Sequence, residues 1–119
     1  MILAVGHDLI EVRRLAAVLS RHHDRFLERI YHPTERDYCL ALADPLPSLA
    51  ARCAAKEAFI KALGAVAFRD VWVEKDGPKP RLALAPALEE RRDALGLRLH
   101  LSLSHTRELA SAVLVLEGP

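Results

Sequence analysis

The strongest constraint on this chain is a single change of period. From Glu11 to Gly64 the apolar residues recur with helical spacing, and from Val71 onward they recur mainly at every second residue, as in strands. Helices followed by alternating strands build an α+β domain, with helices packed on a small, largely antiparallel sheet. The length suits one domain spanning residues 1–119, and no repeat, low-complexity segment or linker divides it.

The individual elements follow from local signals. Ile2–Val5 is a short apolar run ended by Gly6 and Asp8, which predicts a buried central strand with Asp8 just past its end. Leu15, Val18 and Leu19 carry the stripe of a helix from Glu11 to Leu27, with His22-His23 as a breaking point. Pro33 opens a helix to Ala43, and Ser48 is the expected N-cap of the longest helix, Leu49–Leu63, with Gly64 in a left-handed conformation after it. Val71–Glu74 and Arg81–Leu84 read as strands around the turn Asp76-Gly77-Pro78. Pro86–Leu95 is a helix closed by Gly96, and Leu97–Ser104 and Leu109–Leu116 are strands separated by a turn.

Composition enters as an exclusion. Lys and Arg number 17 against 16 Asp and Glu, so no global field draws in nucleic acid or a membrane surface, and any charged partner meets a local patch. No segment approaches the length of a membrane span, and the N-terminal run lacks the basic region of a signal peptide. Two cysteines, Cys39 and Cys53, sit in apolar helical surroundings and are expected as small buried thiols in a reducing compartment. The expectation is a soluble cytoplasmic protein.

Three places could carry chemistry. Asp8 is either a capping acid or a ligand at a sheet edge. In Arg52–Gly64, one helical stripe holds Cys53, Glu57, Ile60, Lys61 and Gly64. A second stripe holds Ala50, Ala54, Ala58 and Ala62, where another backbone can approach closely. Glu57 and Lys61 are either an ordinary surface pair or charges held partly buried by a partner or metal. Ser102, Ser104, His105 and Thr106 end a strand. Ser104 and His105 are sequence neighbours facing opposite sides, so they make a poor nucleophile–base pair and a better polar contact for a ligand. The remaining histidines, His7, His22, His23, His32 and His100, lack metal-ligand spacing.

Four blocks occur in order: Gly6-His7-Asp8-Leu9-Ile10-Glu11, Arg52 to Gly64 with its Ala-Ala-Lys56-Glu57-Ala-Phe-Ile-Lys61-Ala-Leu-Gly core, Asp76-Gly77-Pro78-Lys79-Pro80, and Leu101-Ser-Leu-Ser-His105-Thr106. Together they resemble the holo-acyl-carrier-protein synthase family of phosphopantetheinyl transferases over nearly the whole chain. The resemblance implies transfer of phosphopantetheine from coenzyme A to a carrier-protein serine, with release of adenosine 3',5'-bisphosphate. It implies Asp8 and Glu57 as Mg2+ ligands and Lys61 as a phosphate contact. It implies Arg52, Lys56, Gly64, Lys79, Pro80, His105 and Thr106 as further contacts for coenzyme A. Arg14, Arg21 and Arg25 match the basic helix that docks acyl carrier protein, and a homotrimer with interfacial sites is the family's usual form. Physical chemistry agrees with the set, because phosphoryl transfer needs charge neutralisation and alignment more than covalent help. One or two carboxylates plus substrate phosphates are a usual Mg2+ environment.

The chain departs from the family pattern at three points. His7 replaces a smaller residue, Ala65-Val66-Ala67 replaces a longer, glycine-richer loop, and Cys53 replaces an aromatic. Two other readings compete. One is a binding module whose basic helix recognises an acidic protein without catalysis. The other is a hydrolase holding zinc or manganese through His7, Asp8, Glu57 and His105.

Overall fold

The computed structural model describes residues 1–119, the side chain of Asp76 excepted. It contains β1 (Ile2–Glu11), α1 (Val12–Ile30), α2 (Pro33–Leu40), α3 (Leu46–Leu63), a single 3-10 turn (Phe68–Asp70), β2 (Val71–Asp76), β3 (Lys79–Leu84), α4 (Pro86–Leu95), β4 (Arg98–His105) and β5 (Leu109–Glu117). The α+β architecture is as expected, and every strand pairing is antiparallel. The strands divide into two sheets, however, in the orders β1-β5-β4 and β2-β3.

α3 is the axis of the core. Ala50, Ala51, Ala54, Ala55 and Ala58 have no exposed surface, and Leu49 and Phe59 are almost as deeply buried. A helix apolar on every side must be enclosed on every side. One side packs against Ala110, Ala112 and Leu114 of β5, and the opposite sides meet α1, α2 and β2. Alanine is required because the neighbouring backbones come so close. A methyl on Gly6 of β1 would stand 1.9 Å from the Ala58 carbonyl oxygen and 3.2 Å from Cβ of Ala62. Gly6→Ala must therefore lift β1 off α3. It is expected to lower stability to urea by an amount at the upper end of about 1–3 kcal/mol.

Several boundaries differ from expectation for identifiable reasons. β1 does not end at Val5. It runs to Glu11, because Gly6 pairs with Leu114 and continues the ladder, so Asp8 lies within the strand opposite Ala112. β1 is also an edge strand rather than a central one. Its apolar run is largely exposed, with Leu3 at 51%, Val5 at 58% and Leu9 at 59%. α1 continues to Ile30 but is kinked at His22, whose φ of −135° and ψ of 35° are not helical.

α2 is capped by an unexpected residue. His32 Nδ1 accepts from the Thr34 N–H, while Glu35 accepts from the His32 N–H, a capping box with histidine in the Ser/Thr place. Ser48 is not an N-cap. α3 begins earlier, at Leu46, because Pro47 fits the first turn, and Asp44 accepts from the Leu46 N–H. Gly64 has φ 104° and ψ 177°, a positive-φ extended conformation rather than the left-handed helical one. Gly96 does adopt the left-handed helical conformation after α4.

Candidate active site

The crossing of β1 over α3 builds the site. Along β1, Ala4, Gly6, Asp8 and Ile10 face α3, while Leu3, Val5, His7 and Leu9 face away. Gly6 sits on Ala58, which brings the next inward residue, Asp8, beside the following turn of α3. There the Lys61 Nζ donates to Asp8 Oδ1 at 3.0 Å and to the His7 carbonyl oxygen at 2.9 Å. Glu57 lies one helical turn before Lys61, about 5–6 Å away between Cβ atoms. Both acids are half-buried. The nearby Cys53 thiol registers both: burial, then Glu57, then Asp8 push its pKa up to about 12, against the opposing effect of Lys56. Asp8 and Lys61 thus meet directly, Glu57 stands one helical turn away on the same stripe of α3, and two oxygen donors are the ligand chemistry that a hard divalent cation takes. The residues present fit Mg2+.

Lys56 corrects an expectation. It was read as a phosphate contact, but it has no exposed surface and its three donors are engaged. It forms an ion pair with Glu35 and donates to the carbonyl oxygens of Phe68 and Val71. Glu35 also accepts from the Val73 N–H at 3.0 Å, so the pair fastens α2, α3 and β2 together. Burial lowers the Lys56 pKa, and Glu35 pulls it back up. Lys56 is a structural residue with nothing left for a ligand.

Arg52, one turn earlier on α3, is different. It is 4% exposed, stacks 4.7 Å from the Tyr38 ring centre and donates from Nη1 to the Ser48 carbonyl oxygen, while its Nε has no partner. It lines a cleft with Thr34, Tyr38, Glu74 and Lys75, and the Lys75 ammonium lies on the same Tyr38 ring, 5.3 Å from its centre. Tyr38 and Lys75 carry no motif, and only the fold joins them to Arg52. Lys79 and Pro80 open β3, in the hairpin that contains Lys75. Gly64 closes α3 one turn after Lys61.

His105 and Thr106 do not join Asp8 within the chain. His105 is opposite Ala110, which is opposite Ile10, so it lies two strands across and two residues along from Asp8. Standard strand spacing makes that about 12 Å. The Thr106 hydroxyl accepts from the N–H groups of Glu108 and Leu109 and so shapes the β4–β5 turn. His7 points to the outer sheet face, where its ring meets Ser111 Oγ at 3.1 Å. The set His7, Asp8, Glu57 and His105 is therefore dispersed, and among the described residues no three His, Cys, Asp or Glu cluster. That geometry removes the basis of the zinc hydrolase reading.

Comparison with known proteins identifies the family. The profile of the 4'-phosphopantetheinyl transferase superfamily matches residues 4–111, and the chain belongs to that superfamily. The holo-[acyl-carrier-protein] synthase of Thermus thermophilus is 50% identical over 119 residues, covering 99% of this chain and 95% of that protein. The protein of the same name from Deinococcus radiodurans is 50% identical over 126 residues, covering 98% and 94%. The crystal structure of the Neisseria meningitidis synthase superposes with a TM-score of 0.90 at 32% identity, covering 98% of this chain and 99% of that one. A Bacillus anthracis synthase in complex with CoA (3',5'-ADP) superposes at 0.82 with 35% identity, covering 100% and 99%.

Proposed function

We propose that this chain transfers 4'-phosphopantetheine from coenzyme A to a serine of apo-acyl carrier protein, with Asp8 and Glu57 holding Mg2+. The observation that carries this reading is the pairing of Asp8 with Lys61 where β1 crosses α3, one helical turn from Glu57 on the same stripe. In the reaction the serine hydroxyl gives up its proton to water as its oxygen bonds to the phosphorus that carries the pantetheine arm. The bond from that phosphorus to the bridging oxygen breaks, and adenosine 3',5'-bisphosphate leaves with the electron pair. When bound, the ion would supply charge neutralisation and alignment of the diphosphate.

The chain's own residues do the rest. Lys61 Nζ has an N–H beyond its bonds to Asp8 and His7 and can donate it to a diphosphate oxygen. The Arg52 guanidinium, which lines the cleft beside Tyr38 and Lys75, is placed for a phosphate at the nucleotide end. Lys75, Lys79 and Pro80 on the adjoining hairpin would flank the nucleotide, and Gly64 would let a phosphate approach the end of α3.

α1 supplies the carrier-docking face. Arg14, Arg21 and Arg25 are exposed and make no ion pair among the described residues, and Val18, 38% exposed, lies between them. Basic side chains around one apolar contact suit an acidic protein helix. Arg14→Glu with Arg21→Glu is expected to weaken carrier binding mainly through a slower association rate, most strongly at low salt. Stopped-flow binding across a salt series measures this, and an unchanged salt slope places docking elsewhere.

The exposed apolar face of β1, with Leu109 of β5, supports self-association through the outer side of the sheet, as a homotrimer. His105 and Thr106 would then serve a site shared with a neighbouring copy. A cytoplasmic location is part of the same proposal, and among the described residues no helix is long and apolar enough to cross a membrane.

The deciding experiment mixes the purified protein with apo carrier protein, coenzyme A and Mg2+. The expected result is a carrier mass increased by one phosphopantetheine group. Stable carrier binding without that increment would instead support the binding-module reading.

A further inference from the structure

α4 is the most weakly anchored helix of the fold, with no buried side chain. Beneath it is a cavity of about 130 Å³, walled by Phe59 and Leu63 of α3, Leu84 of β3, Leu88 of α4 and Leu99 of β4. An engineered apolar cavity of ~150 Å³ stays dry and takes benzene, so this one has room for a ring or a chain of about six carbons. Two guanidinium groups, Arg91 and Arg92, stand at its rim. Arg92 is occupied by Glu89 and by Asp93 at 3.1 Å. Arg91 is exposed and makes no ion pair among the described residues. An apolar hole with an unpaired cation at its lip selects a molecule that is apolar at one end and anionic at the other.

The cavity opens on the other side of α3 from Asp8 and Lys61, and it meets the proposed transfer site only through Leu63, Ala65 and Val66 on either side of Gly64. Phe59 lies two residues after Glu57, about 200° around the helix, so it faces away from Asp8 and Lys61.

We propose that the cavity binds a medium-chain carboxylate, with a chain of about six carbons among the leucines and its carboxylate on Arg91. Occupancy fills the void under α4 and gives that helix the apolar packing that it lacks. The test titrates ¹⁵N-labelled protein, free of coenzyme A and carrier, with hexanoate, and with hexylamine and hexan-1-ol as controls. Hexanoate is expected to shift the amides of Val66, Leu88 and Leu99 saturably and to raise the melting temperature. Loss of the charged contact in Arg91→Glu is expected to weaken hexanoate binding about tenfold, and hexan-1-ol to bind about tenfold more weakly than hexanoate. Leu88→Trp, which occupies the cavity with protein, is expected to abolish the shifts. Equal affinity for the amine or the alcohol, shifts that persist in Leu88→Trp, or no saturable shift at these amides would each overturn the proposal. Because no step uses coenzyme A or carrier protein, its failure leaves the transfer reading untouched.

Discussion

Asp8→Ala and Glu57→Ala are each expected to reduce phosphopantetheine transfer by at least about 10³-fold, since a metal's charge stabilisation is worth several kcal/mol in such a transition state. Both acids are half-buried, and the one ion pair that either makes, Asp8 with Lys61, is largely exposed on the lysine side, so circular dichroism and the melting temperature should change little. Asp8→Ala frees the Lys61 ammonium from its 3.0 Å pair. That variant should keep or improve its affinity for coenzyme A in the absence of metal, where phosphate meets Lys61 alone. Affinity measured with and without Mg2+ tests the assignment directly: the gain on adding the ion should be present in the native protein and absent from both variants. Wild-type transfer by either variant would remove the metal proposal.

The second large effect is on stability. Lys56→Ala or Glu35→Ala leaves the other charge buried and uncompensated, at a cost of about 3–5 kcal/mol. Whole-domain stabilities are only about 5–15 kcal/mol, so either variant should melt far below the native protein or fail to accumulate. The pair Glu35→Leu with Lys56→Met should recover part of the loss. Recovery is incomplete because the Phe68 and Val71 carbonyl oxygens and the Val73 N–H lose their partners. Urea unfolding of the two single variants and of the double variant measures the loss and its partial recovery. Near-native stability in Lys56→Ala would show that its burial does not matter to the fold.

The two predictions mark where the sequence was legible and where it was not. α4 was read to its termini because Pro86 and Gly96 act through local backbone preference alone. The alanine stripe of α3 announced a close backbone approach, and Gly6 supplies it. His32 went unread as a cap because histidine fills that role by an uncommon use of a ring nitrogen. Lys56 was misread because its partner, Glu35, belongs to another helix, and no local pattern shows which side of an alanine-rich helix is enclosed. β1 misled for a related reason: four successive apolar residues imply two covered faces, and a single chain covers only one. The grouping of Asp8 with Glu57 and Lys61 came from resemblance to a family, since spacing along the chain left each of them open to a plainer reading.

β1 also ties together two requirements that would otherwise vary independently. From Ala4 onward its even-numbered residues, Gly6 and Asp8 among them, address α3, and the odd-numbered Leu3, Val5, His7 and Leu9 form the opposite surface. Side chains alternate, so displacing the strand by one position would exchange the two sets: the imidazole of His7 would turn toward Lys61, and a carboxylate would enter the apolar face. Substitution can tune either surface separately, but insertion or deletion within the continuously paired run Ala4–Glu11 damages both at once. On the N-terminal strand the outer residues are the ones free to change, while Gly6, Asp8 and the spacing between them are held by α3.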